Sequence, residues 1–468
     1  MFIVKYDNET MLPVAKKTFP VNGYPYFVEE VSGKLYIGGG YSEDTYWNWE
    51  GFFWVLDSNF NILNEYNFGS AYSVFDFTIN PNNDDIYLIG EKGGNVFVQK
   101  YDNFMIRLSD ELILSGGGAY GWDVQYNQED ENVYIAGYTK NDFDDYPKNF
   151  DGDSYFVAQV DKNLDAVNSL VYVGGSENEF YNDIDIVING NNLYLGAGTK
   201  SDDMPNPVNA LKGNADAFVS MIDISGPLSV VKTLYLGGTG SEIMLGDVSA
   251  GNNQAYLYYA GYTTSTDFEE VPSYAVQNYN AGGTDIFIAK VNSDLSGAIA
   301  TYIGGTGDDI AYAFSADIEP GEDPYFFAAG FTDSPVFPDD PSGGLSKTVT
   351  QAAFLTRIDS LLNYLDAAKS ILQELLETVE LLDPAVFSNK NNQDNFIKGI
   401  GEVITLVAGG SYADALIKLE GGSILGKTNG CVPPSSTPDN NDWIMDCESQ
   451  ELVSPLILEA IGYMNELL

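Results

Sequence analysis

The chain has 468 residues, enough for one large domain and a smaller companion, and carries 68 Asp and Glu against 21 Lys and Arg, a formal net charge of −47. A surface of this sign disfavours nucleic acid and anionic membranes, both of which call for a basic patch. With no histidine in the chain, Ser-His-Asp and Cys-His catalysis, imidazole-built zinc sites and His-ligated haem are excluded, as is an imidazole pH switch.

In chain order, the first predicted strand is FIVKYD, Phe2–Asp7. No leader precedes it in the sequence, which leaves three expectations: a removed leader, unconventional export, or delivery to the outside within a virion. Asn8-Glu9-Thr10 follows and makes Asn8 the glycosylation candidate, the one sequon in the chain. A strand at Val14–Phe19 comes next. The opening phrase (Phe, an apolar residue, two variable residues, an apolar residue, Asp or Asn) then recurs as FFWVLD at Phe52, FVQKYD at Phe97, FVAQVD at Phe156, FVSMID at Phe218, FIAKVN at Phe287 and FLTRID at Phe354. The intervals between final residues are 50, 45, 59, 62, 69 and 67. A period of this length marks one supersecondary unit copied around or along an axis.

Each unit reads as four β-like segments. In the fifth, a weak alternating stretch near Met244–Ala250 is followed by AYLYYAGYT at Ala255–Thr263, GGTDIFIAKVN at Gly282–Asn292 and AIATYIGG at Ala298–Gly305. Four antiparallel strands per repeat predict a mainly β fold, a β-propeller, in which a ring of blades buries the faces that one blade leaves open. The glycines after Tyr172, Tyr235 and Tyr302 are expected to allow positive φ in a tight passage between blades. Six inner strand pairs can be counted against seven Phe phrases, so six blades are expected, with seven as the alternative. The N-terminus is expected to supply the outer strands of the blade whose inner strands lie near 311–330. The phrase at Phe354 then either competes with Phe2 or begins the exit from the ring.

The run Tyr-x-Gly-Gly, Gly-Tyr-Thr and Gly-Gly-Thr-Asp-x-Phe is clearest at Tyr235–Gly240, Gly261–Thr263, Gly282–Phe287 and Tyr302–Asp309, with echoes at Gly137–Thr139 and Gly330–Thr332. It resembles the SBBP repeat of bacterial and archaeal surface proteins, closely over 120–340 and loosely over 1–119. The resemblance implies a propeller and an extracellular setting, and it transfers no catalytic residue. The family name implies seven blades, against the six counted.

Three loops carry acidic clusters: Asp142, Asp144 and Asp145; Asp202 and Asp203; Asp267, Glu269 and Glu270. Paired carboxylates suit glycoside hydrolysis and all-oxygen sets suit calcium. Their recurrence at matching places, each before a proline (Pro147, Pro205, Pro272), reads instead as a repeated structural loop. Asp151, Asp153, Asp308 and Asp309 are further calcium candidates; none lies in an EF-hand pattern. The glycine-rich stretches lack the continuation of a phosphate loop. The aromatic group Tyr46, Trp47, Trp49, Phe52, Phe53 and Trp54 is divided between core packing and an exposed surface for sugar or protein.

The texture changes near residue 356. Ile358, Leu361, Leu365, Ala368, Leu372, Leu375, Val379 and Leu382 form a heptad-type stripe that ends at Asp383-Pro384. Asp359 or Ser360 is the expected N-cap. Further helices are expected over 393–407, 412–419 and 451–467, giving domains of 1–355 (propeller) and 356–468 (helical). The stripe serves either an internal bundle or self-association through 358–382. Cys431 and Cys447, the two cysteines, flank a Pro/Ser/Asn/Asp loop and predict a structural disulfide, hence an oxidising compartment or a hyperthermophilic host. No apolar run is long enough to span a bilayer. The acidity fits either a saline or an acidic medium; 32 tyrosines and few charges favour a hot, acidic one.

These readings together predict a non-enzymatic extracellular structural or adhesive protein on an archaeal cell surface, filament or virion. Its partners would be other surface or virion proteins, with no cofactor beyond calcium. The alternative is a carbohydrate-binding or carbohydrate-active propeller that uses its acidic rim loops.

Overall fold

The computed structural model describes the chain except for residues 9, 43–48, 71, 144–145, 149–151, 181–183, 245–248, 251–254, 318–324, 336, 338–351, 359–360, 362–363, 421–423, 429–430, 432–441, 466 and 468. Two units are present. One comprises Met1–Val271 and Tyr279–Asp359; the other comprises Pro272–Asn278 and Ser360–Leu468.

The first unit is a six-bladed β-propeller. Strands β1 (Phe2–Tyr6) and β2 (Pro13–Thr18) form a separate hairpin. Blade 1 is β3 (Gly23–Val31), β4 (Lys34–Ser42), β5 (Trp49–Leu56) and β6 (Ile62–Ser70). Blade 2 is β7 (Tyr72–Asn80), β8 (Asp85–Lys92), β9 (Asn95–Tyr101) and β10 (Leu112–Leu114). Blade 3 is β11 (Ala119–Tyr126), β12 (Asn132–Thr139), β13 (Ser154–Asp161) and β14 (Val167–Val173). Blade 4 is β15 (Asp185–Asn189), β16 (Asn192–Thr199), β17 (Asp216–Asp223) and β18 (Ser229–Leu236). Blade 5 has a divided inner strand, β19 (Glu242–Met244) and β20 (Ser249–Ala250), then β21 (Tyr256–Thr263), β22 (Asp285–Asn292) and β23 (Ala298–Ile303). Blade 6 has three strands among the described residues, β24 (Asp309–Asp317), β25 (Tyr325–Thr332) and β26 (Ala352–Ile358). Strands within each blade are antiparallel.

The recurring Phe phrase is the third strand of a blade. Its Phe is fully buried in blades 1 to 5, at Phe52, Phe97, Phe156, Phe218 and Phe287. The core lies between blades: Tyr87, Ile89, Val98, Val133, Ile135 and Phe156 join blades 2 and 3, and Leu193, Leu195, Tyr155, Val157 and Phe218 join blades 3 and 4. Alternation along each strand places one apolar row on each face, and each row meets the neighbouring blade.

Closure of the ring differs from the sequence expectation. β26, with Phe354, holds the third-strand position beside β25, with Gly330 opposite Phe354. The hairpin β1–β2 does not join that sheet. It packs on blade 1, where Met1 and Ile3 meet a cluster containing Ile37, Phe52, Trp54 and Phe60. Of the two copies of the phrase, the one that holds the position here is β26, the next described strand after β25 in the chain.

The second unit contains α1 (Tyr364–Leu381), α2 (Lys390–Ala408), α3 (Tyr412–Glu420) and α4 (Cys447–Asn465). The heptad stripe faces inward: Ala368, Leu372, Leu375 and Val379 are buried with Phe396, Ile400, Val403, Ile457 and Ala460. After α1 ends, Asp383 caps the following 3-10 turn, its Oδ1 accepting from Ala385 N at 2.8 Å. The expected N-cap at Asp359 or Ser360 lies outside the described residues. Cys431 and Cys447 form the predicted disulfide. Pro272–Asn278, between β21 and β22 in sequence, belongs to this unit through Tyr274, whose ring centroid lies 6.1 Å from that of Tyr463, and Val276 N, which donates to Leu361 O at 3.1 Å.

Candidate functional site

The carboxylates are the chemistry-bearing groups of this chain, and the propeller organises them by position in the repeat. After each Tyr-x-Gly-Gly, one acid begins or precedes the next blade: Glu179, Glu242 and Asp309, all buried. Glu179 Oε1 accepts from Gly175 N (3.2 Å) and Ser201 Oγ (2.8 Å). Glu242 accepts from Gly238 N (3.0 Å), Thr263 Oγ1 (2.6 Å) and Ser265 Oγ (2.5 Å). Asp309 Oδ2 accepts from Gly305 N (2.7 Å) and Ser334 Oγ (2.6 Å). Each serine sits two residues after a threonine on the second strand, whose hydroxyl accepts from the serine N at 2.9–3.0 Å. The motif Thr-x-Ser is therefore the partner of the acid, a pairing that the Gly-Tyr-Thr run signals by position alone.

A second acid on the same loop reaches the turn between blades. Asp203 accepts from Ser176 N (2.8 Å) and Oγ (3.2 Å), and Asp267 accepts from Thr239 N (2.9 Å) and Oγ1 (3.1 Å). These bonds hold the Asp267 carboxyl below its ordinary range. None of the glycines of Tyr-x-Gly-Gly has positive φ; in each pair a glycine instead packs against a carboxylate. Positive φ occurs elsewhere, at residues such as Gly117, Gly118 and Gly152. A Cβ on Gly175 would lie 2.2 Å from Asp203 Oδ1, on Gly237 2.2 Å from Glu242 Oε2, and on Gly304 2.3 Å from Asp285 Oδ1. The preceding tyrosines tie down the long loops of their own blades: the hydroxyls of Tyr172, Tyr235 and Tyr302 accept from Phe143 N, Met204 N and Phe268 N at 2.9–3.2 Å.

Burial acts on the protonation of several of these groups. Desolvation pushes Glu179 up to about 7 against hydroxyl and amide donors. Asp216 is pushed up to about 6, mainly by burial, with the nearby Glu242 charge adding to it. On the inner strands, Asp76 accepts from Val124 N (3.0 Å) and Asp123 from Ile186 N (2.6 Å) of the next blade. Burial carries Asp76 well above the usual carboxylate range. Both carboxyls act as clasps by accepting a backbone N–H across a blade boundary, and a proton on Asp76 removes the cost of a desolvated charge there.

The remaining predicted residues are placed as follows. Glu269 and Glu270 both face Lys212, at 2.6 and 3.7 Å. Asp153 receives the Tyr138 hydroxyl, and its N donates to Asn178 Oδ1 at 3.1 Å. Asp308 Oδ1 accepts from Thr284 N at 2.9 Å. Asp144, Asp145 and Asp151 lie outside the described residues, as do Tyr46 and Trp47. Among the described residues no three carboxylates or cysteines converge as metal ligands would. Phe52, Phe53 and Trp54 belong to the core. Asn8 is exposed in the β1–β2 turn, and its carbonyl accepts from Arg357 Nη1 at 2.7 Å.

Two clefts lie between blades 3 and 4. One, of 710 Å³, is bordered by β14 and β18 with Val171, Pro205, Leu228 and Val230, and has Asp203 and Ser176 at its edge. The other, of 470 Å³, is polar, with Asn127, Glu129, Asp130, Asn132, Gln159 and Asn191 in its wall. Asp130 Oδ2 accepts from Tyr134 OH (2.6 Å) and Gln159 Nε2 (3.3 Å), which fixes these side chains at the cleft wall. Sequence reasoning missed this second cleft because its residues come from turns at the opposite end of the strands from the acidic loops.

No family model and no curated protein matches the chain. Solved structures with similar folds include a protein from Lactobacillus plantarum (11% identity, TM-score 0.43, covering 77% of this chain and 96% of that one). An oligogalacturonate lyase in complex with manganese is similar at 14% identity and TM-score 0.39, covering 72% and 80%. The acylaminoacyl peptidase of Pyrococcus horikoshii is similar at 10% identity and TM-score 0.36, covering 66% of this chain and 43% of the peptidase, so the chain spans less than half of that protein's length.

Proposed function

We propose that this is a non-enzymatic structural or adhesive protein of the extracellular space, on a cell surface, filament or virion. SBBP-like repeats form its display platform, and the helical unit anchors or oligomerises it. The observation that carries the reading is the use made of the repeated acids. Glu179, Glu242, Asp309, Asp203 and Asp267 each accept from protein donors at blade boundaries, so the carboxylates that recur through the sequence hold the ring together. The disulfide adds to the case for an oxidising setting.

Light scattering of the full chain over a range of concentrations and of pH tests the assembly role. Concentration-dependent growth of the particle is expected, and a strict monomer at every concentration and pH would overturn it. Reducing ends released from any of a panel of polysaccharides would overturn the non-enzymatic reading.

The polar cleft favours a second reading, glycan binding. Its amides and carboxylates present both donors and acceptors without a cation, the chemistry that pairs with sugar hydroxyls. Retention on a glycan array that is lost in the variant Gln159→Ala would support it; identical profiles would remove it.

A further inference from the structure

The chain carries two third strands for one position. β26 fills that position beside β25, yet β1 has the same phrase and is paired with a following strand, β2, whereas among the described residues β26 has none. In β1–β2, Phe2 faces Thr18. Phe156 likewise faces Tyr172, Phe218 faces Tyr235 and Phe287 faces Tyr302 in complete blades. The hairpin is therefore the outer half of a blade without an inner half. Among the described residues, blade 6 is an inner half with a third strand and no fourth.

Burial shows what this arrangement leaves uncovered. Phe354 is half-buried and Phe2 is 73% exposed, whereas the equivalent Phe is at 0% in blades 1 to 5. The inner strand of blade 1 presents Tyr24, Tyr26 and Val28 to solvent, and blade 6 presents Tyr312 and Leu355. The hairpin is already at the edge of blade 6, where Arg357 of β26 donates to the carbonyl of Asn8 in the hairpin turn.

We propose that β1 and β26 exchange on β25. In the second arrangement Phe2 lies opposite Gly330 and Val4 opposite Ala328, the register that Phe354 and Thr356 now hold. β24, β25, β1 and β2 then form a complete four-stranded blade, and both sheet faces of the seam are covered. The exchange frees 352–358, which ends just before the helical unit begins at Ser360, so closing the ring converts β26 into tether for that unit. An intramolecular exchange is favoured over one between copies because the hairpin turn touches β26 in the same chain.

Two cysteine pairs in the full chain distinguish the arrangements. Ala328→Cys with Thr356→Cys reports the present one, and Ala328→Cys with Val4→Cys reports the exchanged one. Under mild oxidation both pairs are expected to give intramolecular cross-links, identified by peptide mapping under non-reducing conditions. Adding Phe2→Ser, which alters an exposed side chain in the present arrangement and a buried one after exchange, is expected to cut the ratio of the Val4 link to the Thr356 link by on the order of a hundredfold. The proposal is overturned if the Val4 pair gives no link where the Thr356 pair does, if its link joins two copies, or if Phe2→Ser leaves the ratio unchanged.

Discussion

At Gly137 the repeat shows why one residue type is required. Gly137 on the second strand of blade 3 faces Phe156, and a Cβ there would lie 2.0 Å from Tyr120 O on the inner strand. The same approach recurs at Gly39, Gly90, Gly261 and Gly330, at 1.9–2.3 Å from an inner-strand carbonyl. In blades 1, 2, 3 and 6 a bulge in the inner strand lies beside the glycine. Blade 4 has Ala197 at this position, opposite Phe218, and its inner strand β15 pairs without a register shift. Gly137→Ala is expected to destabilise the propeller by on the order of 3 kcal/mol, since backbone has to move, whereas Ala197→Gly is expected to cost about 1 kcal/mol. Urea unfolding followed by tyrosine and tryptophan fluorescence measures both. Tyr235→Phe removes a hydroxyl that accepts from Met204 N and donates to Ser201 O at 2.8 Å. It is expected to cost about 1–3 kcal/mol because both backbone groups lose their partner, and the same measurement checks it.

Among elements, the third strands were the most legible, because a buried strand with a fixed Phe and a terminal Asp or Asn repeats as a phrase. The terminal acid has a local reason: Asp57, Asp102 and Asp161 accept from backbone N–H groups of the turn that follows, at 2.6–2.9 Å. Inner strands were less legible, since bulges at Gly121–Asp123 and Ala311–Ala313 break their alternation. The helix stripe was legible in position and ambiguous in use, because an inward seam and an exposed seam share one pattern; Leu372, Leu375 and Val379 of the stripe are buried. Two features had no local signature. The roles of Glu179 and Glu242 depend on the serine of a Thr-x-Ser that lies 22 and 23 residues further along the chain, and the membership of Pro272–Asn278 in the helical unit depends on contacts with Leu361 and Tyr463. The disulfide is an element-scale device whose sequence separation is 16. In the chain-entropy picture, reduction is expected to lower the stability of the helical unit by about 3 kcal/mol. Thermal melts of the 222 nm circular dichroism signal, with and without reductant, test this: the helical transition shifts down while fluorescence from the propeller does not.

For the whole molecule, the acids act in two opposed ways, and their balance sets a pH optimum. Glu179 and Asp216 have folded-state values raised to about 7 and about 6, and Asp76 is raised as well, all chiefly by burial. A raised carboxyl binds its proton more tightly when folded, so the folded state is favoured below the unfolded value and loses that advantage as pH climbs through the folded value. Asp57, Asp223, Asp267, Asp294, Glu402 and Asp446 are lowered, mainly by hydrogen bonds or, at Glu402, by Lys418. Their contribution has the opposite sign and disappears as pH falls through their folded values. Above the window the formal charge of −47 adds self-repulsion. Stability of the propeller is therefore expected to peak at roughly pH 4–5 and to fall toward neutrality. Glu179→Gln isolates one contributor: the amide oxygen can still accept from Gly175 N and Ser201 Oγ, but the side chain no longer ionises. Denaturant unfolding at pH 4 and pH 7 should show little change in the variant at the lower value and a gain on the order of 3 kcal/mol at the higher one, the free-energy equivalent of the Glu179 shift. A parallel loss at both pH values would mean that Glu179 stays ionised in the folded ring, and the acid optimum would then have to come from relief of repulsion alone, a case that added salt at pH 7 would mimic and the proton at Glu179 would not.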